Sequence, residues 1–298
     1  TSIQDASSVN NRRRWEELER WKKLGIFRPR VTMMAGEEEL AALAGGFFTS
    51  CLDATDLRTG GVKIIADRIT GSQHPSREEL SAIVEAVHKA GLQVVIHAVE
   101  ESVIEAVCDA VARALEKHPR PDHRHRVEHC SVCPPELLQK MARLGIAVVT
   151  QPAFIYYSGD RYLKTASPGE IAHLYPIGSF LRGGLRIGFS SDFPIVDPNP
   201  LVGVHAAVNR ISEGGDILNP GERIGLRDAL RMYTAGAAEV NFEEGIKGFI
   251  SPGKLADLVL LSDDPFSVEA SRLRDIRVEM TILDGRVVWQ WGQSPVSP

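Results

Sequence analysis

The chain has 298 residues, 43% hydrophobic and 24% charged, which supports a sizeable core and excludes a disordered chain, a collagen-like repeat and a disulfide scaffold. Lys and Arg total 34 against 39 Asp and Glu, a formal charge of -5; the one basic run, Arg12-Arg13-Arg14, leads into acidic residues, so no nucleic-acid partner is expected. Four cysteines, Cys51, Cys108, Cys130 and Cys133, are too few and too unevenly placed for an extracellular bridge framework, and no stretch approaches the roughly eighteen apolar residues of a membrane span, so a reducing, cytoplasmic setting without a membrane partner is expected.

The first residues, Ser2-Ile-Gln-Asp5, read as the tail of a strand. Trp15, Leu18, Trp21 and Leu24 are spaced three apart, which predicts a helix over 11–24. A short strand from Arg30 to Met33, a helix from Glu37 to Ala44 and a β-branched strand from Gly61 to Ala66 follow. Ser76 with Glu79 three residues later forms a capping box for a helix that Gly91 stops, and Leu92 to His97 is the next strand. Helix 101–117, strand 124–129, helix 135–144 and strand 146–150 continue the alternation. An aromatic loop holding Tyr156, Tyr157 and Tyr162 comes next, then helix 177–182, strand 185–190 and helices 201–212 and 226–240.

Repeated β-α units with strands apolar on both faces predict a parallel sheet, and their number favours an α/β, TIM-like (β/α)8 barrel over an open doubly wound sheet. No glycine-rich phosphate-binding fingerprint follows an early strand. From Gly245 the pattern changes to short alternating strands, the last two joined by an Asp284-Gly285 hairpin turn. The expected division is a barrel over 1–244 and a small β-sandwich appendage over 245–298.

In a parallel barrel the loops after the strands line one mouth, so polar residues that end strands are the candidates for chemistry. Lys63 lies inside Val62-Lys-Ile-Ile65, His97 ends Val94-Val-Ile-His, His129 ends Arg126-Val-Glu-His, and Asp192 ends Ile187-Gly-Phe-Ser-Ser-Asp. Singly, a strand-end histidine is more often a hydrogen-bonded structural residue, and a strand-end aspartate often caps the next helix. Lysine, though, is almost never buried without a partner. Two histidines, a carboxylate and a lysine on four strands of one barrel supply the donor types of a divalent metal site. Gln151, Tyr156 and Arg182 are candidate substrate contacts, and His205 is a candidate mouth residue. Cys130-Ser-Val-Cys133 reads as incidental, since no second C-x-x-C accompanies it.

The strings Val62-Lys-Ile-Ile-Ala-Asp67, Val95-Ile-His-Ala98, Arg126-Val-Glu-His129, Gln151-Pro-Ala-Phe154, Gly188-Phe-Ser-Ser-Asp-Phe-Pro194, Tyr233-Thr-Ala-Gly-Ala237 and Gly248-Phe-Ile-Ser-Pro-Gly-Lys-Leu-Ala-Asp-Leu-Val259 resemble, in content and order, the amidohydrolase superfamily. The likeness is greatest to its amidohydrolase-3 branch, the YtcJ-like metal-dependent hydrolases that include N-substituted formamide deformylases. The resemblance implies a distorted barrel with a β-sandwich built from both chain ends, and a divalent metal, usually zinc, at the mouth. It makes Lys63 the lysine that CO2 carboxylates to an anionic bridge in many relatives, His97 and His129 metal ligands, and Asp192 a ligand and proton shuttle.

Departures accompany the likeness. The family's His-x-His pair is absent before Ser2-Ile-Gln-Asp5, so one metal site is supported and a second lacks its ligands. Val99-Glu100 stands where relatives have Gly-Asp, Arg68 where a Gly is common, and the stretch after Gly71-Ser72 is short. The expected function is hydrolysis of a C–N bond, amide or N-formyl, in a small-molecule substrate. A lactonase or phosphoesterase on the same site, and a non-catalytic member without a full binuclear centre, are the alternatives. The motif order suggests that the chain starts near the barrel's second or third unit, as the C-terminal part of a longer hydrolase, with a homo-oligomer or another association expected to cover an open barrel edge.

Overall fold

The computed structural model describes residues 1–46, 55–69 and 72–293; Cys51 and Gly71 lie outside the described residues. Seven parallel strands form one sheet: β1 (Ser2–Asp5), β2 (Arg30–Gly36), β3 (Leu57–Ile65), β6 (Val94–Ala98), β7 (Arg126–His129), β8 (Ala147–Thr150) and β9 (Ile187–Phe189), hydrogen-bonded in that order. Between β3 and β6 lies a two-stranded ribbon, β4 (Asp67–Ile69) with β5 (Ser72–His74). β10 (Leu258–Leu261), β11 (Val278–Leu283) and β12 (Arg286–Gln290) make a small antiparallel sheet. This is the α/β barrel architecture expected from the sequence, with β1 and β9 as the two edges of the described sheet.

Local chemistry sets the elements. Ser76 Oγ accepts from Glu79 N–H (3.2 Å) while Glu79 Oε2 accepts from Ser76 N–H (2.9 Å), closing the capping box that starts helix Arg77–Lys89. Helix Pro135–Leu144 opens on proline and ends on Gly145 in the left-handed region (φ 69°). The aromatic stretch after Gln151 is not a loop: Ala153–Thr165 is a helix. Strand β3 starts at Leu57, four residues before the expected Gly61, and runs on through Gly60 and Gly61. A Cβ on Gly61 would stand 2.4 Å from the Gln93 carbonyl, so only glycine lets the chain pass there.

The floor of the barrel is one segment, residues 237–243, which collects a side chain from five successive strands or the residues leading into them. Gln4 Nε2 donates to the Ala237 carbonyl (3.0 Å), Gln93 Nε2 to Val240 (2.9 Å) and Arg124 Nη1 to Glu239 (2.6 Å). Asn241 Nδ2 donates to Thr32 Oγ1 (2.8 Å), and Arg58 pairs with Glu243 (3.6 Å). Just before it, Gly236 lies against edge strand β9, where a Cβ would come within 2.2 Å of the Ile187 carbonyl. The appended sheet is fastened by Arg30, whose Nε and Nη2 grip the Asp257 carboxylate at 2.7 and 3.1 Å.

Three buried histidines sit below β6 and β7 with every ring nitrogen assigned by its partner. Val94 N–H donates to His125 Nδ1 (2.9 Å), so His125 carries its proton on Nε2 and gives it to His88 Nδ1 (2.8 Å), and His88 Nε2–H bonds the His118 carbonyl (2.6 Å). His123 accepts from His125 N–H (2.9 Å) and donates to the Leu144 carbonyl (2.9 Å). Burial, with neighbouring Arg120, pushes His125 well below the ordinary histidine value and lowers His123. Below about pH 6.5 the unfolded chain therefore binds protons that the folded chain refuses, so stability falls with pH by up to about 1.4 kcal/mol per unit for each such histidine. His97, His129 and His205 are lowered too and add with the same sign. The urea midpoint is expected to drop between pH 7 and 5, and to drop less steeply in a His125→Gln variant; a flat wild-type profile would contradict this account.

Candidate functional site

Register places the polar strand residues on one face. Lys63 of β3 lies opposite Val95 of β6, and Ile65 lies opposite His97, so Lys63 and His97 are diagonal neighbours on the same side of the sheet. Glu128 of β7 stands beside His97, and His129 beside Ala98. Strand alternation would send His129 to the other face, but its backbone is left-handed (φ 70°), as is that of Cys130 (φ 50°). That turn brings the His129 ring against His97, with centroids 4.4 Å apart and planes at 67°. Asp192, just beyond β9, is a third non-glycine residue with positive φ (60°). Backbone strain of this kind gathers where surrounding structure enforces it, often at functional sites.

The electrostatics follow from burial. The His97 imidazole is pushed down to about 4 by burial, then by His129 and Lys63, so it is neutral at pH 7. His129 is lowered by burial, with Lys63 acting in the same direction and Glu128 and Asp192 opposing. Lys63, 4% exposed, is lowered first by burial; Glu128 and Asp192 favour its cation and Arg126 opposes it. Its ammonium forms no hydrogen bond or ion pair among the described residues. Burial raises Asp192 despite the positive pull of His129 and Lys63. Burial also works to raise Glu128, but Arg126, Lys63 and His129 outweigh it and hold that carboxyl below its usual range.

The predicted residues are gathered unequally. His97 and His129 are in ring contact, and Lys63 and Asp192 are near enough for their charges to act on His129. Among the described residues no three His, Cys, Asp or Glu side chains converge closely enough to hold a metal ion. Two neutral imidazoles fit a divalent cation as donors, and Lys63 fits as a third only when made anionic. Gln151 is buried behind His129, its Oε1 2.8 Å from Nδ1, and its Nε2 donates to Ser190 Oγ (2.9 Å) and points to the Val149 carbonyl (3.4 Å). Tyr156 meets the His205 ring edge-on (5.8 Å) and lies under the Arg274 guanidinium (5.2 Å). Arg182 is bonded to Ser179 Oγ (2.9 Å) and Glu222 (3.3 Å). Cys108, Cys130 and Cys133 are buried free thiols, and burial pushes Cys130 well above the ordinary thiol range, which leaves little thiolate for redox or metal chemistry.

Four residues not singled out from the sequence shape the site. Phe154 stacks on His129 (6.4 Å, planes at 5°) and meets Tyr175 edge-on (6.2 Å). Tyr175 is itself left-handed (φ 46°), held there by Arg210, whose guanidinium donates to the carbonyls of Leu174, Tyr175 and Leu218 at 3.0, 2.8 and 2.9 Å. Glu128 had a visible signal, a carboxylate inside a strand buried on both faces; Tyr175 and Arg210 had none, since their roles depend on carbonyls met only after folding.

The family model described as the amidohydrolase family matches residues 9–289. The protein YtcJ of Bacillus subtilis strain 168 is 27% identical over 282 residues, covering 92% of this chain and 51% of YtcJ. The N-substituted formamide deformylase of Arthrobacter pascens is 29% identical over 246 residues, covering 77% of this chain and 45% of that protein. The chain thus spans about half the length of these curated relatives. In fold it is similar to the crystal structure of an uncharacterized metal-dependent hydrolase from Pyrococcus horikoshii OT3, with a TM-score of 0.73 at 24% identity over 91% of this chain and 56% of the other. A family match running through the barrel strands and into the appended sheet establishes that the chain belongs to the amidohydrolase family.

Proposed function

We propose that this chain carries the catalytic face of a metal-dependent hydrolase that cleaves a C–N bond, of amide or N-formyl type, in a small molecule. The observation that carries the reading is the contact of His97 with His129, neutral imidazoles at the C-terminal ends of adjacent parallel strands, beside a buried lysine and a carboxylate raised by burial. His97 and His129 would hold the cation, zinc by donor type, with Lys63 as the third donor. A bound divalent cation supplies Lewis acidity toward a carbonyl oxygen.

The chain's own groups do the rest. Burial favours the neutral Lys63 amine, which is the form that adds to CO2; the new N–C bond gives a carbamate, the nitrogen releases a proton, and a buried amine with no hydrogen bond among the described residues becomes an anionic donor. Asp192 takes a proton from the attacking water and returns it to the leaving nitrogen, and its upward shift helps it keep that proton between the two steps. The name of the Arthrobacter pascens relative supports the N-formyl bond as the first to try.

The test combines metal content with substrate. Protein reconstituted with zinc and 13C-bicarbonate is expected to retain metal, to show a carbamate carbon resonance that Lys63→Ala lacks, and to hydrolyse N-formyl amines. Absence of both metal and carbamate would overturn the reading in favour of a non-catalytic chain. Hydrolysis of lactones or phosphoesters, with amides untouched, would overturn the bond assigned.

A further inference from the structure

The residue that the sequence offers as a substrate contact, Gln151, is only 1% exposed, and a side chain so enclosed has little surface to offer a substrate. Its amide orientation is decided by neighbours. The Val149 carbonyl can only accept, so the NH2 end faces it and Ser190 Oγ (3.4 and 2.9 Å), and Oε1 is left toward His129 Nδ1 at 2.8 Å. An amide oxygen can only accept, so Nδ1 must carry the proton. Ser190 is itself fixed, its N–H donating to the Thr150 carbonyl at 3.1 Å across the β8–β9 step. Phe154, stacked parallel to the imidazole, limits its rotation about the ring plane.

We propose that Gln151 is a positioning residue: clamped by Ser190 and Val149, it locks His129 in the Nδ1–H tautomer, so that Nε2 keeps its lone pair and is the atom offered to a divalent cation. The proposal rests on the metal reading above only for its last clause. A histidine ligand whose other nitrogen is held by an outer partner keeps both tautomer and direction, and losing such a partner typically weakens metal binding by about 10–100-fold. The left-handed backbone at His129 gives the clamp its purpose: the ring has been turned off the normal strand direction and needs a second anchor.

Imidazole 15N–1H correlation spectra of the metal-free wild-type chain, with His129 assigned by the signal lost in His129→Asn, are expected to show Nδ1 protonated and Nε2 bare. Gln151→Leu is expected to give a mixed tautomer and a zinc affinity, by chelator competition, about 10–100-fold weaker. Gln151→Glu, whose carboxylate also accepts from Nδ1–H, is expected to restore both readouts and guards against a misfolded leucine variant, as does an unchanged circular dichroism spectrum. A wild-type His129 protonated on Nε2 overturns the proposal, and so does a Gln151→Leu chain with unchanged tautomer and unchanged zinc affinity. A wild-type chain with the Nδ1–H tautomer but no zinc binding overturns the metal reading while the tautomer lock stands.

Discussion

Replacing Asp192 with Asn is expected to lower turnover of the zinc-loaded chain by about 10²–10⁴-fold with little change in KM, the usual worth of a positioned general acid–base. The substitution keeps size and one accepting oxygen but removes the group that can take and return a proton. Asp192 is suited to that role because burial raises it while His129 and Lys63 pull the other way, so its two protonation states are closer in energy than those of an exposed carboxylate. His97, His129 and Lys63 are the proposed holders of the cation, so the variant is expected to keep its metal. The measurement is kcat on an N-formyl amine alongside metal content and a folded spectrum. Equal turnover in the variant would remove Asp192 from the chemistry; loss of metal would make it a ligand first.

The second large effect is structural. Glu128→Ala is expected to destabilise the fold by about 3–5 kcal/mol, the penalty for leaving one member of a buried ion pair uncompensated. Arg126 is 2% exposed, and its guanidinium has Glu128 Oε1 at 2.7 Å, Gln4 Oε1 at 2.6 Å and Met34 Sδ at 3.7 Å around it inside the barrel. Without Glu128, Arg126 loses the ion pair it forms among the described residues, and two neutral acceptors do not offset a desolvated cation. Such a loss is a large share of the roughly 5–15 kcal/mol that separates folded from unfolded domains. Urea denaturation reads it directly. The double variant Arg126→Met, Glu128→Leu is expected to recover most of the loss, since it removes both charges. A Glu128→Ala chain within about 1 kcal/mol of wild type would show that water reaches Arg126.

Much of the candidate site was legible in the sequence because parallel strands tolerate few polar residues. Lys63, His97 and His129 interrupt runs that must be apolar on both faces, and Asp192 closes another. What could not be read was direction. Strand alternation alone sends His129 away from His97, and only its positive φ reverses this. Tyr156 was read in a loop because Tyr, Ser, Gly and Asp after Gln151-Pro152 show no strong apolar period; the segment is a helix whose face is set by packing on His205 and Arg274. Strand β3 was read short, from Gly61, because Arg58-Thr59-Gly60 carries no apolar signal, whereas Gly60 and Gly61 are the places where the Met34 and Thr32 side chains and the Gln93 backbone crowd the chain. Gln151 was read as a candidate substrate contact; its hydrogen-bond partners Ser190 and His129 lie 39 and 22 residues away along the chain, a pairing that spacing alone does not disclose.

The floor segment has a kinetic consequence. Its bonds to Gln4, Thr32, Gln93 and Arg124 join residues 233, 209, 147 and 115 positions apart. Contacts of such long range recover little energy until the intervening chain is ordered, so they form late. On a ribosome, where the N-terminal strands emerge first, the sheet can pair strand by strand, yet its lower ends stay unpinned until residue 243 has left the exit tunnel. Residues 237–243 thus act as a keystone set last: nascent chains whose emerged part ends before Ala237 are expected to be protease-sensitive throughout the sheet, and emergence of the chain to a few residues past Glu243 is expected to close all of it at once.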